Sequence, residues 1–213
     1  MSSIGTYYGN TIRWPITPEA PTLSYFINSS DPVVQQAVRD SYDAWNAVET
    51  SYVSVLETEI YSTADIVVVV DIDLGNPYAG GYASYGYNGE GEISSCTVHL
   101  LASQAALGYD LLRPLAQHET GHCLGLLHSV SKGAVMSYRG GGQTPTDDDA
   151  FALTLLYPST GTALPPSCNT VQSASSSQGP HQQDALLSFL FTFGFMVIGW
   201  RVLRRSRARP NIL

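Results

Sequence analysis

Positive charge is scarce in this sequence and unevenly spread. Ten Lys and Arg face eighteen Asp and Glu, and five of the ten, Arg201, Arg204, Arg205, Arg207 and Arg209, crowd into the C-terminal end. Ahead of residue 185 that leaves five basic against eighteen acidic residues, a net charge of −13. So acidic a surface repels phosphate backbones, and nucleic acid is excluded as a partner. Cysteine is nearly as rare. Cys96, Cys123 and Cys168 fit no zinc-ribbon spacing, and an odd number cannot pair fully within one chain. Long apolar runs are missing until the end: MSSIGTYYGNTIRWP at the N-terminus contains no apolar export signal. Ala185–Trp200, ALLSFLFTFGFMVIGW, is a predominantly apolar run of sixteen residues without a charge.

Histidine is scarce too, yet three of the five lie within LAQHETGHCLGLLHS, Leu115 to Ser129. His118 and His122 stand four apart, so on a helix both rings leave the same face one turn from each other and can meet one ion. A third ligand from that face would be out of reach unless the helix stopped and the chain came back. Gly125 lies where the stop is needed, because glycine takes positive φ without steric cost and is favoured just past a helix end. It can swing Leu126, Leu127 and then His128 round to close a set of three. Three protein ligands with one position open is the pattern of catalytic zinc, whereas structural zinc is usually closed by four. Glu119, beside a ligand but turned from the ion, is then placed to take a proton from the attacking water and pass one to the leaving amine. The alternative is a helix with surface histidines. For the full H-E-x-x-H-x-x-G-x-x-H, chance occurrence at this composition is about one in 100,000, which favours the metal.

These residues resemble the metzincin metalloproteases. HETGHCLGLLHS is most similar to the matrixin branch, HExGHxLGLxHS, with Gly121, Leu124, Gly125, Leu126 and Ser129 in register. GAVMSYRG places Met136 eight residues after His128, similar to the Met-turn beneath the zinc in these enzymes. The resemblance implies an α+β metzincin-type catalytic domain with a twisted mixed sheet, an active-site helix and a small C-terminal subdomain. It also implies one catalytic zinc ion on His118, His122 and His128, with Glu119 as general base in peptide hydrolysis. Met-Ser-Tyr is similar to other metzincin Met-turns, in which a tyrosine at the place of Tyr138 ligates zinc or stabilises the oxyanion. A tyrosine lining the substrate pocket is the other reading of Tyr138.

The rest of the chain is consistent with this centre. Asp31 is a plausible N-cap with Pro32 at the first helical position, and Val34, Val38, Tyr42 and Trp45 follow at helical spacing. TLSYFIN, YVSVLE, ADIVVVVDID and GEISSCTVHLLA read as strands, the third so apolar that both faces are expected to be covered. TDDDAFALTLLYP reads as a last helix, its Asp147–Asp149 run suited to the positively polarised N-terminus. GNPYAGGYASYGYNGEGE is too glycine-rich for a core strand. In matrixins this region holds the edge strand above the cleft, which would place Tyr82, Tyr85 and Tyr87 beside an extended peptide substrate. His99 is the sole histidine near it, so no second zinc is expected. Asp71, Asp73, Glu90 and Glu92 offer oxygens for calcium, though surface acidity explains them equally. A Cys96–Cys123 bridge is conceivable in an oxidising compartment, with two buried free thiols as the alternative.

The expected organisation is an N-terminal extension over 1–10, a monomeric catalytic domain over 11–160 and a Ser, Pro and Gln-rich stalk over 161–184. A transmembrane or sorting-signal segment over 185–203 and a basic tail over 204–213 follow. By the positive-inside rule the arginines stay in the cytoplasm and the domain faces outward. A short apolar run followed by arginines also resembles sorting tails that are cleaved after export. An export signal is then expected upstream of Met1, and either a latency segment lies upstream too or activity is limited in another way. Competing with an endopeptidase are a zinc-bearing surface domain that binds peptides without cutting them, and a metallohydrolase for a non-protein amide. Glu119 argues against the first, which needs no general base.

Overall fold

The computed structural model describes residues 2–4, 6–7, 10–76, 79–138 and 142–159. The stalk, the apolar segment, the basic tail, Cys168 and Arg139 lie outside them. Three short strands, β1 (Ser2–Ile4), β2 (Thr6–Tyr7) and β3 (Asn10–Thr11), precede β4 (Thr22–Asn28) and helix α1 (Pro32–Asn46). Then come β5 (Ser54–Glu57), β6 (Ile66–Asp71), β7 (Gly81–Tyr87) and β8 (Ile93–Leu101). Helices α2 (Ala102–Ala105) and α3 (Tyr109–Cys123), strand β9 (Leu126–Ser129) and helix α4 (Asp147–Leu156) complete the order.

α1 starts where the chain chemistry directs. Asp31 is extended, its carboxylate accepts from the Val33 N–H at 2.8 Å, and Pro32 follows at a position where no N–H is needed. Val34, Val38, Tyr42 and Trp45 form one buried stripe against the sheet and α3. The five-stranded sheet has the order β5-β4-β6-β8-β7; β5, β4, β6 and β8 are parallel, and β7 closes the edge antiparallel to β8. A mixed sheet under helices, with α4 and β9 in a small lower part, is the α+β architecture that the sequence leads one to expect.

The strands sort their residues by parity. Ile66 and Val68 of β6 and Cys96, Val98 and Leu100 of β8 face the helices and are buried. The opposite face is less covered than the valine run suggests. Val67 and Val69 are only half-buried, so the expectation that both faces of β6 are covered does not hold.

α1 and α3 lie against each other with polar bonds inside the contact. Trp45 Nε1 donates to Gln117 O and to Thr120 Oγ1, both at 3.2 Å, and Gln117 Nε2 donates to Ser41 O at 3.1 Å. Tyr109 donates its hydroxyl to Asp40 near the start of α3. Closest approach is at Gly121. A methyl group there would lie 2.5 Å from Met136 Sδ and 2.7 Å from Trp45 Cζ2. Glycine thus lets α3 sit between the tryptophan of α1 and the methionine below. Gly121→Ala overpacks this contact and is expected to cost about 1–3 kcal/mol, seen as a lower urea midpoint; an unchanged midpoint would show that the contact yields freely.

Candidate active site

α3 presents His118 and His122 one turn apart, and its last turn gives way at Leu124 to Gly125, whose φ is +91°. A side chain at Gly125 would be strained by that angle, and its Cβ would stand 2.7 Å from the Ile12 carbonyl oxygen. The reversal feeds directly into β9, and His128 comes back to the two helical rings. One donor atom from each of the three histidines lies within 4.8 Å of the others, the only such metal-holding group among the described residues. His118 and His128 bring their Nε2 atoms to 3.1 Å.

Backbone carbonyls set the rings. His118 Nδ1 meets Val135 O at 2.7 Å, and His122 Nδ1 meets Leu126 O at 2.7 Å. With Nδ1–H donated outward, each Nε2 lone pair is turned to the centre, the orientation that metal-ligating histidines need. Burial also keeps them neutral. It lowers the pKa of His118, lowers that of His122 well below the ordinary value, and takes His128 down to about 4 with a further contribution from His118. Neutral imidazoles are the ligating form. Neither cysteine among the described residues competes, since Cys96 and Cys123 are disulfide-bonded to each other, with Cα atoms 5.6 Å apart. The donor set therefore fits a zinc ion with three protein ligands.

Glu119 is not among the converging donors. It is buried, and burial pushes its carboxyl up to about 8, opposed by a hydrogen bond from the backbone of Ala83 on β7. Gly81 packs so close that a Cβ there would be 3.2 Å from Glu119 Cγ. The edge strand thus touches the glutamate directly. A cation beside it would favour the carboxylate.

Met136 is fully buried, its Sδ packed against α3 at Gly121. Its loop is held from below by Asp149, which accepts from Val135 N at 2.8 Å and Met136 N at 3.1 Å, as well as from the N–H and hydroxyl of Thr146. Asp149 is therefore more than the acidic residue at a helix start that its sequence position suggests. The only sequence signal for it is its place three residues after Thr146, in a capping box. Ser129 bridges the Met136 loop and α4: its N–H donates to Met136 O at 2.6 Å, and its hydroxyl donates to Asp148 at 2.6 Å. Trp14, likewise unassigned by the sequence, donates Nε1 to the Cys123 carbonyl at 2.7 Å and anchors the end of α3.

Tyr138 lies at the edge of this cluster, half exposed, its ring 4.4 Å from that of His128. Tyr85 is half-buried on the helix side of β7, and Tyr87 is exposed. Tyr82 differs from the expectation of a cleft tyrosine: its ring stacks on His99 at 4.2 Å, on the other face of the sheet, because side chains alternate along β7. The four acidic residues considered for calcium do not converge. Asp71 binds His99, Asp73 caps Gly75 N, and Glu92 is held by Asn88. Glu90 and Glu92 line a separate cavity of about 580 Å³ with Arg13, which shares no lining residue with the histidines.

The matrixin family model matches residues 8–158, well over half of the sequence. The chain belongs to the matrixin family. Matrixins are zinc-binding metalloproteases, typically secreted, and the three-histidine cluster of this one fits the zinc site. No curated protein matches the chain. In this matrixin β1, from the residues expected as an N-terminal extension, pairs antiparallel with β9, Ser2 opposite Ser129 and Ile4 opposite Leu126. No helix among the described residues is long and apolar enough to cross a membrane.

The support under His118 generates a prediction. Asp149→Asn removes the charge and part of the acceptor capacity beneath Val135 and Met136, freeing the carbonyl that aims His118. Zinc affinity, read by competition with a chromophoric chelator, is expected to fall about 10–100-fold. Unchanged affinity would mean that Asp149 serves only the helix start.

Proposed function

We propose that this chain is a zinc-dependent endopeptidase that acts outside the cytoplasm, with His118, His122 and His128 holding one zinc ion and Glu119 serving as general base. The observation that carries it is Glu119: buried, adjacent to the converging imidazoles yet outside the donor set, and tied to the edge strand through Ala83. A module that only bound peptides would need no carboxylate so costly to bury.

The bound metal would supply Lewis acidity toward a water and a peptide carbonyl. The residues supply the rest. The three imidazoles, aimed by Val135 O and Leu126 O, fix its position. Glu119 takes the proton from the attacking water, holds it in a pocket dry enough to favour the protonated carboxyl, and delivers it to the nitrogen of the departing amine. β7 is the free edge of the sheet, and an extended substrate lying along it gains backbone hydrogen bonds that set its register. Tyr138, whose ring packs on His128, is the residue we assign to donate its hydroxyl to the developing oxyanion.

Two features support this location. The Cys96–Cys123 bridge suits an oxidising compartment. The uncharged run over 185–200 followed by five arginines suits an anchor or sorting segment that leaves the acidic domain facing outward. The chemistry is tested by two variants. Glu119→Gln is expected to keep zinc while peptide hydrolysis drops at least ~10²-fold; full turnover would remove Glu119 from the mechanism. His128→Ala is expected to lose zinc on dialysis, and a fully loaded variant would break the ligand assignment.

A further inference from the structure

The outer face of the sheet, turned away from α3 and the zinc site, carries a second arrangement of reactive groups. The parity that sends Cys96, Val98 and Leu100 inward sends Thr97 and His99 outward, together with Asp71 at the end of β6 and Tyr82 and Ser84 on β7. His99 stands opposite Val69 on one side and Tyr82 on the other, so Asp71 and Ser84 are its diagonal neighbours on the two flanking strands. The ring meets both. Nδ1 lies 2.7 Å from Asp71 Oδ2, and Nε2 lies 3.3 Å from Ser84 Oγ. Tyr82 stacks on the ring with an interplanar angle of 9°, which fixes its plane.

We propose that Ser84 is an activated nucleophile, with His99 as its general base and Asp71 orienting the imidazole, able to take an acyl group from a carboxylic ester. The three roles follow from the contacts. Asp71 accepts a hydrogen bond from the Nδ1–H and so selects the tautomer whose Nε2 lone pair faces the serine hydroxyl. Tyr82 prevents the ring from turning out of line. His99 is sheltered, its side chain 20% exposed, whereas Ser84 is open to solvent and so to substrate. A serine–imidazole separation of 3.3 Å is ordinary for such a pair before substrate arrives.

The backbone adds a donor. Gly80 O accepts from Leu101 N at 2.9 Å, so the even-numbered residues of β7 turn their peptide groups to β8 and the odd-numbered ones turn theirs to the free edge. The N–H of Tyr85, next after the nucleophile, is thus available to an oxyanion formed on Ser84. In the acylation step Ser84 Oγ bonds the ester carbonyl carbon while its proton passes to His99 Nε2. The ester's C–O bond then breaks, and the alcohol leaves with that proton. In the second step water attacks the seryl ester, its proton passes through Nε2 to Ser84 Oγ, and the carboxylic acid is released. No metal takes part, so this activity is separable from peptide hydrolysis.

The test uses the full chain and a fluorophosphonate probe, which reports a nucleophilic serine by losing fluoride as Oγ bonds phosphorus. Adduct formation is followed site by site by peptide mass spectrometry, with exposed Ser94 and Ser95 of the neighbouring strand as references in the same molecule. Ser84 is expected to react at least ~10²-fold faster than either, the scale contributed by a positioned base. His99→Gln is expected to bring it down to their rate, Asp71→Asn to lower it in part, and Ser84→Ala to remove the adduct while peptide hydrolysis continues. Glu119→Gln is expected to leave the labelling untouched, so the two sites succeed or fail independently. The proposal is overturned if unmodified Ser84 reacts no faster than Ser95, a comparison that needs no variant to fold. It is equally overturned if His99→Gln, folded and zinc-loaded, labels at the original rate.

Discussion

Everything at the metal site depends on one reversal of the chain. A helix can bring two imidazoles to an ion from a single face, but the third must come from somewhere the helix is not. α3 ends at Cys123, the chain turns at Gly125 in the left-handed region with its Cα pressed toward the Ile12 carbonyl, and His128 returns on β9. Any other residue at Gly125 would carry both a backbone penalty and a contact that backbone cannot relieve. The same turn brings Leu126 O to His122 Nδ1, so the turn that reverses the chain also orients that imidazole.

Around that turn the protein builds a shell that leaves the rings little freedom. α4 holds the Met-turn through Asp149, the Met-turn aims His118 through Val135 O, and Ser129 ties the turn back to β9. The end of α3 is fastened to the sheet by the Cys96–Cys123 bridge and to the N-terminal region by Trp14. Closing a loop between residues 27 apart removes chain entropy worth about 3–4 kcal/mol in the simplest account. For a domain whose net stability is on the order of 10 kcal/mol, that is a large share, applied one residue from a ligand. Rigid support is what a site needs to keep three donors together before an ion arrives.

Much of this was legible in the sequence, because it is written locally. Asp31-Pro32 and the Val34, Val38, Tyr42, Trp45 stripe gave α1, and TLSYFIN corresponds residue for residue to β4. The spacing of His118, His122, Gly125 and His128 gave the convergence of the three imidazoles, since helix pitch and the φ freedom of glycine are properties of the residues themselves. What was not legible depends on contacts distant along the chain. Nothing near Asp149 says that its carboxylate will sit under Met136, and nothing near Trp14 says that it will cap α3. Nothing near Ala83 says that its backbone will touch Glu119. The two faces of the sheet are not legible for a related reason. The valines of β6 describe their own hydrophobicity, whereas coverage is decided by whether another layer packs there, and Tyr82 went to His99 because its parity on β7 put it on that side.

The central claim is that three neutral imidazoles, and no other side chain, hold the metal. Zinc X-ray absorption on the purified, zinc-loaded chain tests it most directly. The account predicts one zinc per chain with three imidazole nitrogens at about 2.0–2.1 Å and neither sulfur nor a glutamate oxygen from the protein in its first shell. A sulfur at about 2.3 Å, or the carboxylate of Glu119 bound to the ion, would contradict it.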